Sequence, residues 1–163
     1  MSNKILILTA EKQTGKTTLL QQFCKDRKDV AGILTPIVNG KRVFYNIAGA
    51  AYFEMEASKN EAQLVIGKYI FSAAGFKKAN DILIEESKRH DINYLIIDEI
   101  GPLETKYQQG FYTTLINLLS SSFNYNLLLV VRPSLVDDVL SYTAVNKQES
   151  IVMNLAEMSV YLK

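Results

Sequence analysis

The sequence predicts an α/β domain of three layers: a mostly parallel central sheet between helices, with a β-hairpin at one edge. Three observations predict it. Residues 5–8, 94–97 and 127–131 are runs without a charged residue, almost wholly apolar, the mark of strands covered on both faces. Longer amphipathic stretches alternate with them, the rhythm of a parallel sheet with crossover helices. Asn39-Gly40 lies between two apolar runs and supplies the hairpin, because a type I′ turn needs two residues tolerant of positive φ.

In chain order, residues 5–8 form the first buried strand. Residues 17–28 carry Leu19, Leu20, Phe23 and Cys24 at helical spacing. Residues 30–38 read as one strand, answered across Asn39-Gly40 by 43–47. Pro36 lacks an amide donor, which puts this hairpin at a sheet edge. Residues 48–71 give no clear period, and 63–71 reads as either a strand or an irregular loop. Residues 73–89 read as a helix, with Phe76, Ala79, Ile82, Leu83 and Ser87 near one stripe. Residues 94–97 are the second apolar strand, closed by Asp98-Glu99. A helix over 111–119 and a third buried strand over 127–131 follow. Pro133 then opens a short helix running to 140. A strand at 151–153 and a C-terminal helix complete one domain over residues 1–163.

Composition narrows the function. With 48% apolar and 21% charged residues the chain is a folder, not a disordered segment. A net charge of +1 gives no electrostatic reason to expect nucleic acid or an anionic membrane as partner. One cysteine, Cys24, and one histidine, His90, put metal cages of Cys and His out of reach. The apolar run at 5–8 is too short for a signal-peptide core or a membrane span, so the cytoplasm is the expected location. No repeat and no low-complexity linker interrupts the chain.

The first strand runs into Ala10-Glu11-Lys12-Gln13-Thr14-Gly15-Lys16-Thr17-Thr18 and then a helix. Gly, four residues and Gly-Lys-Ser/Thr between strand and helix is the P-loop pattern; here Ala10 stands where the first glycine belongs. Amides of the loop and of the first helical turn converge on phosphates in such a loop. Gly15 allows close approach, Lys16 reaches the β- and γ-phosphates, and the Thr17 hydroxyl ligates Mg²⁺. Residues Ala10, Glu11, Lys12, Gln13, Thr14, Gly15, Lys16, Thr17 and Thr18 are therefore the expected nucleotide-binding segment. Lys12 and Gln13 are solvated loop residues, or Lys12 lends further charge to the phosphates.

The strand Tyr94-Leu95-Ile96-Ile97 ends in two carboxylates, as a Walker B strand does. Asp98 is the expected Mg²⁺ ligand, directly or through water. Glu99, pointing the other way from the end of the strand, is placed to polarise an attacking water as general base. Both motifs fall at the carboxyl ends of parallel strands, where ligands of α/β sheets gather.

The stretch Asp98-Glu99-Ile100-Gly101-Pro102-Leu103-Glu104 resembles the Asp-Glu-Ile-Gly-x-Met/Leu-Glu segment of the THEP-type nucleoside-triphosphatases. Gly15-Lys16-Thr17-Thr18-Leu19, Gly32 ahead of the hairpin and Gly67-Lys68-Tyr69 resemble that family in order and spacing, over roughly residues 4–140. The resemblance implies a RecA-like P-loop domain that binds a nucleoside triphosphate with Mg²⁺ and uses Glu99 as base. The chain departs from the family at Lys12-Gln13, where members carry Pro-Gly.

Arg132, directly after the third strand, stabilises charge on the γ-phosphate in cis, pairs with a carboxylate or lies on the surface. Glu104 reads as a loop-shaping residue, with assistance to Mg²⁺ as the alternative, His90 as part of a helix end and Cys24 as a small buried apolar residue. Lys68 and Tyr69 are candidates for the pocket lining. The activity expected is Mg²⁺-dependent hydrolysis of the γ-phosphate of ATP or GTP, with other nucleoside triphosphates as further candidates. A nucleotide-dependent switch or accessory protein of little turnover is the alternative, and a small-molecule or nucleotide kinase a weaker one. Kinases of that sort close arginine-bearing lids, and the four arginines here are scattered along the sequence.

Overall fold

Side-chain alternation along the buried strands divides the core in two. The computed structural model describes residues 3–58 and 60–163. In chain order the elements are β1 (Ile5–Thr9), α1 (Lys16–Cys24), β2 (Val30–Leu34), β3 (Ile37–Val38), β4 (Lys41–Asn46), β5 (Ala51–Glu54), β6 (Gln63–Ile66), β7 (Tyr69–Ser72), α2 (Ala73–Glu86), β8 (Tyr94–Ile100), α3 (Pro102–Thr105), α4 (Tyr112–Ser120), β9 (Asn126–Val131), α5 (Val136–Val145), β10 (Ser150–Met153) and α6 (Leu155–Tyr161), with a 3₁₀ turn at Pro133–Leu135. Ile5 and Ile7 of β1 face one side of the sheet and Leu6 and Leu8 the other, all fully buried. Onto the first side pack Phe76, Ala79 and Leu83 of α2, Leu115, Leu118 and Leu119 of α4, and Val139 of α5. Leu20 of α1 and Met158 of α6 cover the second. Helices on both faces of one sheet give the three layers that the apolar runs predict.

The main sheet runs β10-β1-β9-β8-β2-β4-β3, with β5 also paired to β4. The five strands from β10 to β2 are parallel, and β3, β4 and β5 add antiparallel pairs. Parallel pairing brings the carboxyl ends of β1, β2, β8 and β9 to one edge, and β9 stands between β1 and β8. Among the described residues no helix is long and apolar enough to cross a membrane.

Several boundaries differ from the sequence reading, each for a visible reason. The segment 30–38 is two strands, because the Thr35 amide donates to the Asp98 carboxylate at 3.1 Å and Pro36 has none to give. The Pro36 carbonyl still accepts from Val43 at 3.0 Å, so β3 continues alongside β4. Asn39 and Gly40 adopt φ of 51° and 76°, as a type I′ hairpin requires, and the hairpin lies at the end of the sheet away from β10. That end is shared by β5, a strand without a sequence signal.

Helix α1 stops at Cys24, short of 28. Asp26 takes φ 60°, and Arg27 turns back to hold Asp29 through two hydrogen bonds of 2.9 and 2.7 Å. The segment 63–71, open between strand and loop, is the hairpin β6–β7, a two-stranded sheet of its own; Lys59, within the unreadable stretch 48–71, lies outside the described residues. Helix α2 starts at Ala73 because the buried Ser72 hydroxyl accepts from the Gly75 amide at 2.9 Å, an N-cap. It ends at Glu86, short of 89.

Gly32 marks the tightest approach in the sheet. Its φ is 121°, and a Cβ built there would stand 2.1 Å from the Ile96 carbonyl oxygen of β8. Gly32→Ala is therefore expected to destabilise the protein by about 3 kcal/mol or more, from backbone strain and the clash with a neighbouring main chain together. Urea unfolding followed by circular dichroism reads the midpoint; a midpoint equal to the wild type would contradict the packing of β2 against β8.

Candidate nucleotide site

The loop between β1 and α1 is held open by backbone geometry. Gly15 takes φ 96° with nothing within 4 Å of where a Cβ would stand, so conformation, not crowding, demands glycine there. No side chain caps the start of α1, which leaves the first-turn amides as donors for an anion. Ala10 is not among the residues of positive φ, so alanine serves in place of glycine without left-handed strain. Gln13 carries that strain instead, with φ 57°.

Lys16 folds its ammonium back over the loop and donates to the Ala10 carbonyl at 2.7 Å and to the Glu11 carbonyl. Partial burial lowers its pKa below the usual lysine value, while the carboxylates of Glu99 and Asp98 pull the other way. Ala10 and Glu11 thus meet Lys16 through their main chain. Lys12, Gln13, Thr14, Gly15, Lys16, Thr17 and Thr18 line a cavity of about 720 Å³. Lys12 places its ammonium 5.7 Å from the centre of the Tyr69 ring, and Lys68 lies 5.5 Å from the same ring.

Asp98 is the buried centre of the site, 2% exposed. One of its oxygens, Oδ2, accepts from the Thr17 hydroxyl at 2.9 Å and from the Thr35 amide at 3.1 Å. Burial raises its pKa above the usual carboxylate value, against the pull of those two hydrogen bonds.

The register of β8 against β9 shifts between Asp98 and Ile100, so Glu99 sits in a bulge. A bulge re-aims a side chain. Asp98 and Glu99 both line the cavity. Arg132, just after β9, donates from Nε to Glu99 Oε1 at 3.0 Å. Arg42 of β4 lies 3.7 Å from Glu99 Oε2 and donates to the Thr35 carbonyl at 3.0 Å.

Two arginines scattered in the sequence thus meet on one carboxylate. Neither Arg42 nor Thr35 carries a sequence signal beyond its type, since an arginine in a hairpin reads as solvated. An apolar part of the lining comes from the part of the chain that showed no period, Met55, Ile66, Tyr69 and Phe71, together with Phe76 and Leu103.

Glu104 lines the same cavity but is spent on the loop. Its Oε2 accepts from the Gly101 amide at 3.0 Å and its Oε1 from the Phe111 amide at 3.3 Å. Burial outweighs those two donors and pushes the carboxyl up to about 7. His90 lies away from the cavity, against Asn124 at 3.3 Å. Cys24 is half-buried, its thiol pushed up to about 12 by burial, as suits a packing residue.

A strand, an uncapped glycine-lysine-threonine loop and a helix, set beside two carboxylates on a parallel sheet, define a P-loop nucleotide-binding fold. The sequence model of the NTPase family matches residues 5–157, and the chain belongs to that family, the THEP-type nucleoside-triphosphatases. It is 32% identical over 106 residues to the nucleoside-triphosphatase THEP1 of Archaeoglobus fulgidus. That match spans 61% of this chain and 61% of the relative's length. Two solved structures share the fold. One is a crystal structure of THEP1 from the hyperthermophile Aquifex aeolicus, with TM-score 0.70 and 21% identity over 98% of this chain and 94% of the other. The other is a solution structure of a human cancer-related nucleoside triphosphatase, with TM-score 0.68 and 20% identity over 98% and 93%.

The pH dependence of stability tests the burial of Glu104. Its folded pKa, about 7, lies above the ordinary 4.5, so the folded state holds the proton more tightly. The stability linked to that proton is fully present below pH 4.5 and is lost as pH rises through about 7. Asp98 shifts in the same direction, so comparison with Glu104→Gln isolates the one group. The variant is expected to lose up to about 3 kcal/mol of the wild-type decline between those pH values. Urea titrations across the range that gave parallel curves for the two proteins would contradict it.

Proposed function

We propose that the chain is a Mg²⁺-dependent nucleoside-triphosphatase that cleaves the γ-phosphate of ATP, GTP and other nucleoside triphosphates, with Glu99 as general base. The observation that carries this reading is the convergence of the uncapped phosphate loop, the Thr17–Asp98 pair and Glu99 on one cavity. In this reading the first-turn amides and Lys16 bind the β- and γ-phosphates, for which Lys16 leaves the carbonyls of Ala10 and Glu11.

The donor set fits Mg²⁺: a hydroxyl and a buried carboxylate, hard oxygen ligands, meet at one point. Thr17 and Asp98 would hold the ion, which when bound neutralises charge on the β- and γ-phosphate oxygens. Glu99 takes a proton from a water whose oxygen attacks the γ-phosphorus. The bond from that phosphorus to the β–γ bridging oxygen breaks, and the nucleoside diphosphate leaves with the electron pair. Arg132, 3.0 Å from Glu99, is placed to share its charge between that carboxylate and the γ-phosphate.

Family membership and the name of the Archaeoglobus relative support hydrolysis over a kinase or a silent switch. Phosphate release from ATP, GTP, CTP and UTP with Mg²⁺ tests it, and EDTA is expected to abolish the signal. Glu99→Gln is expected to lower kcat by at least about 100-fold while nucleotide affinity stays within a few-fold, because the base acts in the chemical step. Lys16→Ala is expected to weaken binding as well. Equal losses of affinity and turnover in Glu99→Gln would remove it as the base. Release that needs an added alcohol acceptor would point to a kinase.

A further inference from the structure

We infer that Arg42, carried in by the edge hairpin, is a positioning residue that holds the Glu99 carboxylate in its orientation together with Arg132; the inference rests on the hydrolase reading above. The geometry of Glu99 is two-sided. Arg132 Nε donates to Oε1 at 3.0 Å. Arg42 Nη1 stands 3.7 Å from Oε2, an ion-pair distance. The two guanidinium groups thus hold the carboxylate from its two oxygens, and both oxygens keep lone pairs open to a proton.

Arg42 is itself anchored. The same Nη1 donates to the Thr35 carbonyl at 3.0 Å and lies 3.4 Å from the Thr35 hydroxyl. Thr35 is 1% exposed, and its amide is one of the two donors on Asp98. Arg42 therefore touches the residue that holds Asp98 and the side chain of Glu99 at once. A carboxylate swinging on a bulged residue has a wide arc, and Arg132 alone fixes one oxygen. The second guanidinium removes the remaining rotation. Misplacement of a reacting group by about 1 Å costs on the order of 100-fold in rate, so Arg42 acts on turnover through Glu99. The Arg42 side chain is 35% exposed and belongs to a two-residue-turn hairpin, so its replacement spares the core.

Arg42→Gln tests the inference with three readouts. The ¹⁵N-labelled Arg132 Nε–H resonance, assigned with Arg132→Lys, is expected to shift and exchange faster with solvent in Arg42→Gln, because its partner carboxylate loosens. This readout needs no turnover. The kcat is expected to fall about tenfold to 100-fold, with affinity for a non-hydrolysable ATP analogue and Mg²⁺ kept within about twofold. In the Glu99→Gln background the same change is expected to have no further effect on kcat, as for residues that act through one another.

An unmoved Arg132 signal would overturn the inference. So would analogue binding weakened by the same factor as kcat, which would make Arg42 a phosphate ligand. An undiminished effect in the Glu99→Gln background would overturn it as well. A wild-type protein that releases no phosphate would instead sink the hydrolase reading, and the resonance would still report whether Arg42 positions Glu99.

Discussion

A carboxylate taken out of water organises this structure. Asp98 is 2% exposed, and an ionised carboxylate in that setting is tolerated when donors surround it. Its donors come from two other elements, the Thr17 hydroxyl of α1 and the Thr35 amide beyond β2. The pairing ties the first helix, the second strand and β8 to one point at the carboxyl edge of the sheet. It also breaks the strand at Thr35, whose amide is lost to the ladder, and so frees the chain to begin the hairpin that carries Arg42. One hydrogen bond between the chain and a buried acid decides where the sheet stops and the site begins.

Around that point the charged groups are satisfied by the protein itself. Lys16 lies on the carbonyls of its own loop, and Glu99 is held between Arg132 and Arg42. The first-turn amides of α1 are the exception, with no side-chain cap. A polyanion entering the cavity therefore meets unspent donors first, and attracts cations that must leave weaker partners. The partial burial of Lys16 lowers the cost of that transfer, since its ammonium is already partly stripped of water. The glycine-poor loop reaches this geometry by placing its left-handed residue at Gln13, which costs backbone strain of about 1 kcal/mol or more.

Much of the site was legible beforehand because its chemistry is local. Gly15-Lys16-Thr17 and Asp98-Glu99 are each contiguous, and strand-loop-helix order places both at the same sheet edge. The orientation of Glu99 was not legible. Regular alternation turns it away from Asp98, and the register shift that brings both into one cavity arises from pairing with β9. Glu104, five residues on, reads from the sequence as loop-shaping, but which amides its two oxygens accept from, those of Gly101 and Phe111, is set by how the loop folds.

The sequence by itself determined the class of fold and the place of the P-loop between the first strand and helix. Runs of apolar residues specify buried strands wherever they lie, and a glycine-lysine-threonine turn specifies amide and ammonium donors from short-range geometry. The tertiary structure decided the rest, since those features depend on residues distant in the chain. The Arg42–Glu99–Arg132 cluster joins a hairpin, a bulge and a loop that no spacing relates. The apolar wall of Met55, Ile66, Tyr69 and Phe71 comes from short strands exposed on one face, whose period is too weak to read. Burial, which raises the pKa of Asp98 and of Glu104, is a property of everything packed around them and of no residue alone.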